Sequence, residues 1–251
     1  MANIGGSGGG RRTSLLLLRH GETLANASGI LQGQSESDLT EYGRAQAKEL
    51  GTALKARLAS DPNLVRDVYT SDLCRTVDTA QAVADAIGGC KLHKDARLRE
   101  RRLGPFQGLS TKLCVERFPK TWTAFTSGAF DGPAGSELPV LEPGGEDVET
   151  AASMGSRCMQ ALDDIASSHP LGATILVVSH GGLIHTAVNY CCQDDQRHVP
   201  NIGNVSITTL IREGGEQWQV QRVGEAVVSA DKNARRPERN VDVAPAPSKV
   251  K

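Results

Sequence analysis

The sequence predicts an α/β protein of three layers, α/β/α, with helices on both faces of a mostly parallel central sheet. Two observations carry that expectation. Short apolar runs, Leu15-Leu16-Leu17-Leu18 and Thr174-Ile175-Leu176-Val177-Val178, stop abruptly at polar residues and glycine, which suits buried strands better than helices. Between and around them, strand-like and helix-like stretches alternate, the pattern of a parallel sheet covered by crossover helices. A chain of 251 residues is enough for one sizeable core.

The elements follow in order. Residues 1–11 read as a flexible leader, five of the first ten being glycine. Residues 12–228 form the expected domain, opening with the leucine strand. That strand runs into Arg19-His20-Gly21-Glu22-Thr23, where a substrate meets the carboxyl end of a sheet strand. Residues 24–39 are polar and loop-like, with Asn26, Gln32 and Gly33 able to face a ligand. From Thr40, apolar residues at Tyr42, Ala45, Ala47, Leu50, Ala53, Leu54 and Leu58 repeat at helical spacing until Asp61-Pro62-Asn63. Val68-Tyr69-Thr70 is a short strand, and the next helix opens at Ser71, placing Arg75 in its first turn, where an anion is favoured. Gly88-Gly89 ends that helix.

Residues 98–108 are too rich in charge, Gly and Pro for a core element and read as a loop holding Glu100, Arg101 and Arg102. Residues 118–145 carry four prolines, little regular pattern, and the aromatics Trp122, Phe125 and Phe130; they read as a lid or a mobile insertion. After Pro143-Gly144-Gly145-Glu146 comes a long helix with Val148, Ala151, Cys158, Leu162 and Ile165 on its apolar face. The strand at 174–178 then repeats the opening design, ending in Ser179-His180-Gly181-Gly182 before another helix. Residues 205–211 and 218–223 alternate as a closing hairpin. Residues 229–251, with six Lys or Arg and three prolines, read as a disordered tail.

Composition narrows the function. A formal net charge of −1 gives no footing for a nucleic-acid or membrane partner, and no apolar run approaches the length of a membrane span. A small-molecule partner is expected, and a homo-oligomer stays open. The six cysteines show neither zinc-site spacing nor a disulfide framework, which fits reduced thiols in the cytoplasm. Cys74 lies beside Arg75, where a cation lowers a thiol pKa, although a small apolar filler is the simpler reading. His93 and His169, like His198, stand in loop or strand-edge contexts and are expected to be solvated; His185 edges the pocket at most.

Strand ends and loops thus gather Arg19, His20, Arg75, His180, Glu100 and Asn26. Two arginines and two histidines make a cup for a tetrahedral dianion, since each planar guanidinium can donate two parallel hydrogen bonds. No metal or other cofactor is needed to explain such a cup.

With these residues in order, the chain resembles the histidine phosphatase superfamily, which includes the cofactor-dependent phosphoglycerate mutases. The likeness spans roughly residues 14–224 and includes Arg19-His20-Gly21-Glu22-Thr23, Gln32-Gly33, Thr70-Ser71-Asp72, Arg75-Thr76, Leu98-Arg99-Glu100, Pro143-Gly144-Gly145-Glu146 and Ser179-His180-Gly181. It implies a phosphoglycerate mutase-like fold and His20 as nucleophile, forming a phosphohistidine that divides one hard displacement into two easier ones. His20 must then be neutral, with its proton held away from phosphorus by a carbonyl or glycine N–H in the turn. Arg19, Arg75 and His180 would hold the phosphoryl group, and Glu100 would protonate the leaving oxygen. Arg99, Arg101 and Arg102 press Glu100 toward its charged form, against that role. Thr23, Asn26, Gln32, Gly33, Arg101, Arg102 and Gly181 are expected around the substrate, with Arg101, Arg102, Phe106, Trp122 and Phe125 reading its non-phosphate part. Lys120 alone among basic residues in the 118–145 insertion suits a phosphatase of sugar phosphates or phosphoglycerate. The pattern Glu100-Arg101-Arg102 with Gln107-Gly108 keeps a phosphoglycerate mutase as the alternative. A non-catalytic phosphate-binding scaffold is the third reading.

Overall fold

The computed structural model describes residues 11–132, 136–192, 199–214 and 216–227. The leader, but for Arg11, and the tail read from the sequence lie outside them, as does His198. Six strands, β1 (Arg12–Arg19), β2 (Leu64–Thr70), β3 (Lys91–Lys94), β4 (Thr174–Ser179), β5 (Ser206–Glu213) and β6 (Gln219–Ala226), form one sheet in the order β3-β2-β4-β1-β5-β6. The pairs β1–β4, β2–β4 and β2–β3 are parallel, and the C-terminal hairpin adds β5 and β6 antiparallel at one edge. The sheet is therefore mostly parallel, as expected.

The leucine run is apolar on both sides because both faces of its strand are covered. Leu15 and Leu17, with Ile175 and Val177, pack against helices α6 (Ala151–Ser167) and α7 (Gly181–Cys191). Leu16 and Leu18, with Leu176 and Val178, face the opposite layer of α2 (Glu41–Leu58) and α3 (Cys74–Ala86). Each such leucine, fully buried, is worth about 1.5–3 kcal/mol relative to exposure. Thr40 and Thr150 cap α2 and α6, their hydroxyls accepting from Gly43 N and Ser153 N.

Three local expectations change. Residues 24–28 form a one-turn helix, α1 (Leu24–Ser28), because Thr23 and Asn26 make a reciprocal capping box at its start. The long helix begins at Ala151, not Val148; residues 145–147 make a 3-10 turn first. The 118–145 stretch is more regular than it reads. After α4 (Thr111–Arg117) it contains α5 (Pro119–Thr126), with proline at the first position where its missing N–H costs nothing, and a 3-10 turn at Ala129–Asp131. It builds a third apolar cluster in which Phe106 meets Trp122 edge-on at 5.2 Å and Phe125 packs against both Phe106 and Phe130. The Glu142 carboxylate fastens the segment, accepting from Lys120 N and from the N–H and hydroxyl of Thr121.

Candidate active site

The two His-Gly steps, 160 residues apart, become neighbours through strand pairing. β1 and β4 run parallel with Arg19 opposite Ser179, so His20 and His180 stand side by side one residue beyond the strand ends. Their ring centroids are 5.3 Å apart, edge to face. Both rings are buried, as are Arg19 and Arg75 at 1% exposure each.

Main-chain carbonyls hold His20 and the two arginines, and one of those arginines holds His180. His20 Nδ1 lies 2.7 Å from its neighbour's carbonyl, Gly21 O. A carbonyl only accepts, so the ring proton sits on Nδ1 and Nε2 is the unprotonated ring nitrogen. Arg19 Nη1 donates to Ile202 O at 2.6 Å. Arg75 donates from Nη1 to Ser35 O, from Nη2 to Gly33 O, and from Nε to His180 Nδ1 at 3.2 Å. That last bond fixes the second histidine: Nδ1 accepts, so Nε2 carries the proton. Burial, followed by the charge of Arg75, His20 and Arg19, drives the His180 pKa well below 6.5 and keeps the ring neutral. His180 Nε2 is itself buried and finds no hydrogen-bond partner among the described residues.

Gly21 must be glycine here, since a Cβ would come within 2.5 Å of Gly43 O on α2. The 201–205 loop supports the same turn. Asn204 Nδ2 donates to His20 O at 2.9 Å, and Val205 N to Arg19 O at 3.2 Å. Val205 adopts φ +51°, a left-handed conformation that costs a β-branched residue about 1–3 kcal/mol and persists because both its N–H and its buried side chain are fixed.

Glu100 makes a second wall, against the start of α7 just beyond His180. Its Oε1 accepts from Arg101 N at 2.7 Å and its Oε2 from Gly182 N, at the start of α7, at 2.9 Å; the side chain is 4% exposed. The arginines flanking it in sequence turn to other partners. Arg99 makes a two-pronged pair with Asp72 at 2.6 Å on each prong. Arg101 donates to Glu149 O, pairs with Asp131 and lies over the Phe125 ring, while Arg102 donates to Asp147 O.

The other expected site residues separate into roles. Gly33 supplies the carbonyl that holds Arg75, and Gly181 packs against the Arg19 guanidinium, where a Cβ would lie 3.2 Å from Nε. Thr23 and Asn26 cap α1, and Gln32 Oε1 accepts from the Thr23 hydroxyl at 3.0 Å. Phe106 does not read substrate: it is fully buried at the centre of the third apolar cluster, and Trp122 and Phe125 pack against it. The anion at the N-terminus of α3 is Glu36, whose carboxylate accepts from Cys74 N. The Cys74 thiol is pushed up to about 11 by burial and by Glu36, so Arg75, turned inward, does not activate it. Nor are the two outlying histidines merely solvated: His93 pairs with Asp67 at 2.6 Å and His169 meets the Tyr69 hydroxyl at 2.8 Å. His185 sits on α7 with its Nδ1 3.2 Å from Asn189 Nδ2. The sequence carried no signal for Asn204 or Val205, which act through long-range main-chain bonds.

Among the described residues no cluster of three or more His, Cys, Asp or Glu side chains is arranged to hold a metal ion, and no helix is long and apolar enough to cross a membrane. A groove of about 550 Å³ between α2 and α3, lined by residues such as Arg44, Lys48, Asp78 and Asp85, contains none of the site residues.

Comparison with known proteins gives the family. The model of the histidine phosphatase superfamily (branch 1) matches residues 15–226. The chain is 33% identical over 211 residues to phosphoglycerate mutase-like protein 4 of Arabidopsis thaliana, covering 84% of each protein. It is 40% identical over 172 residues to the metal-independent phosphoserine phosphatase of the same plant, covering 68% of this chain and 66% of that one. Among solved structures, a mycobacterial glucosyl-3-phosphoglycerate phosphatase superposes with a TM-score of 0.69 at 26% identity, over 86% of this chain and 100% of the other.

Proposed function

The chain belongs to the histidine phosphatase superfamily, branch 1, and from that premise we propose that it hydrolyses a small phosphorylated metabolite through a phosphohistidine on His20. The observation that carries the reading is the His20 tautomer, with Nδ1 tied to Gly21 O beside a neutral His180 whose Nε2–H has no partner among the described residues. In the first step His20 Nε2 attacks phosphorus, the bond to the substrate oxygen breaks, and Glu100, protonated, passes its proton to that oxygen. In the second, water attacks phosphorus, the N–P bond breaks, and the Glu100 carboxylate takes the water proton. Arg19, Arg75 and His180 donate to the equatorial oxygens throughout; fixed donors of this kind supply most of the catalysis in phosphoryl transfer.

Hydrolysis is favoured over isomerisation by the scarcity of further cations. Lys120, the basic residue of the 118–145 segment, is exposed, and Arg101 and Arg102 are already bonded to main-chain carbonyls. A mutase must retain a doubly phosphorylated intermediate, which calls for more positive charge. The mutase reading keeps support from the Arabidopsis mutase-like relative. Six thiols without a disulfide support a reducing, cytoplasmic setting as part of the same reading.

The test is a panel of phosphoserine, phosphoglycerates and sugar phosphates, with and without chelator. Phosphate release that persists with chelator is the expected result. Isomerisation of phosphoglycerate without phosphate release would replace the hydrolase with the mutase, and activity abolished by chelator would overturn the metal-free mechanism.

A further inference from the structure

Glu100 stands in a segment without regular structure, between a 3-10 turn ending at Leu98 and another beginning at Gly104. Such a segment needs an external hold if a proton donor on it is to keep its place. Arg157, on α6 and half-buried, supplies one. Its Nη1 donates to Arg97 O at 2.8 Å and Arg99 O at 2.6 Å, and its Nη2 to Glu100 O at 2.9 Å. The same guanidinium makes a two-pronged pair with Glu149, Nε to Oε1 at 2.7 Å and Nη2 to Oε2 at 2.8 Å. All five of its N–H donors are thereby used, which leaves none for substrate. Glu149 extends the hold forward: Oε2 also accepts from Arg102 N at 3.0 Å, its own N–H donates to Arg102 O at 2.8 Å, and its carbonyl accepts from Arg101 Nε at 2.7 Å. Five residues, at 97 and from 99 through 102, are thus bonded to one ion pair.

We infer that Arg157, with Glu149 as its counter-ion, is a positioning residue that sets Glu100 against the leaving oxygen. The inference rests on Glu100 being the proton donor of the proposed reaction. Burial pushes the Glu149 carboxyl up, but the hydrogen bond and charge of Arg157 outweigh it, so its pKa falls below the ordinary value and the clamp is ionic. A lysine at 157 has three donors on one atom and cannot reproduce the planar fork.

Leaving groups distinguish this role from a structural one. An alkyl phosphate needs a proton on its departing oxygen, whereas an aryl phosphate with an acidic phenol departs without one. The kcat/KM of p-nitrophenyl phosphate and of an alkyl monoester from the substrate panel are measured for the wild type, Glu100→Gln, Arg157→Gln and Arg157→Lys. Misplacing the donor predicts that Arg157→Gln loses about 100-fold on the alkyl ester and at least roughly tenfold less on the aryl ester. Arg157→Lys is expected to restore little. Where the single variant leaves the buried Glu149 unpaired and fails to fold, the double variant Glu149→Gln/Arg157→Gln removes that charge and carries the same comparison. Equal losses on the two esters, in a variant that melts cooperatively, overturn the role of Arg157 while Glu100→Gln still discriminates between them. If Glu100→Gln itself fails to discriminate, it is the assignment of the acid that falls.

Discussion

The two walls of the site are held by different means. On the phosphate side, Arg19, His20 and Arg75 are oriented by carbonyl oxygens of Ile202, Gly21, Gly33 and Ser35, and both histidines extend directly from paired strands. On the acid side, Glu100 rides on an irregular segment tied down by the side chains of Arg157 and Glu149. The difference teaches a division of labour. Groups that stabilise charge act best when fixed dipoles hold them rigidly, and the carboxyl ends of two central strands, with the loops beyond them, provide that. Neutral carbonyls also orient the arginines without cancelling their charge. For Glu100, the proposed proton donor, a side-chain clamp does the holding without committing a sheet strand.

Substitutions on each wall sharpen the contrast. The largest effect is expected from His20→Ala, which removes the proposed nucleophile and lowers turnover by roughly 10⁴-fold or more. Acid-labile phosphate trapped on the wild type must vanish in this variant; labelling that survives would move the nucleophile elsewhere. Arg75→Lys keeps a charge but cannot serve His180, Ser35 and Gly33 together. It should cost about 10²–10³ in kcat/KM, to the same extent on aryl and alkyl esters, because the phosphoryl oxygens are common to both. A loss confined to alkyl esters would break the comparison between walls.

Gly182→Ala acts on the other wall. A Cβ there runs into the Glu100 carboxylate, so the acid must move. A loss of about 10–100-fold is expected, greater on the alkyl ester, and a steady-state comparison of the two substrates reads it directly.

The smallest effect is on stability against pH. His180 has a folded pKa well below its ordinary 6.5, so below that pH the unfolded chain binds the proton that the folded chain refuses. Its contribution is complete above pH 6.5 and is lost as the pH falls toward the folded value. Glu149, lowered from 4.5, contributes above that value and loses its contribution only as the pH falls below it. Thermal melts of the wild type and His180→Gln between pH 7 and 5 should therefore converge on acidification. Parallel curves would mean that His180 takes up its proton in the fold as readily as in the unfolded chain, against its proposed role as a neutral donor.

Much of this was legible in the chain because the signals are local. Leu15 through Leu18 and the run before His180 are apolar on both faces, and each ends in histidine and glycine, so the strands and the turns beyond them could be read together. Arg75, in the first turn after a strand, was legible for the same reason. The capping box of Thr23 and Asn26 went unread because polar residues near a motif suggest substrate before they suggest a helix end. Phe106 and the aromatics of α5 looked like an exposed reading surface because nothing in sequence spacing shows that Phe106, Trp122, Phe125 and Phe130 close on one another.

By itself, then, the sequence determined the fold class, the two histidine-bearing strand ends and the basic character of the cup, all properties of contiguous residues with a fixed period. Only the tertiary structure decided the states of those groups. The proton of His20 is placed by a carbonyl beside it, that of His180 by an arginine 105 positions away, and Glu100 by Arg157 on a helix that carries no mark of the site. Hydrogen bonds between distant segments leave no period in the chain, and the orientation of a catalytic group is set by those bonds.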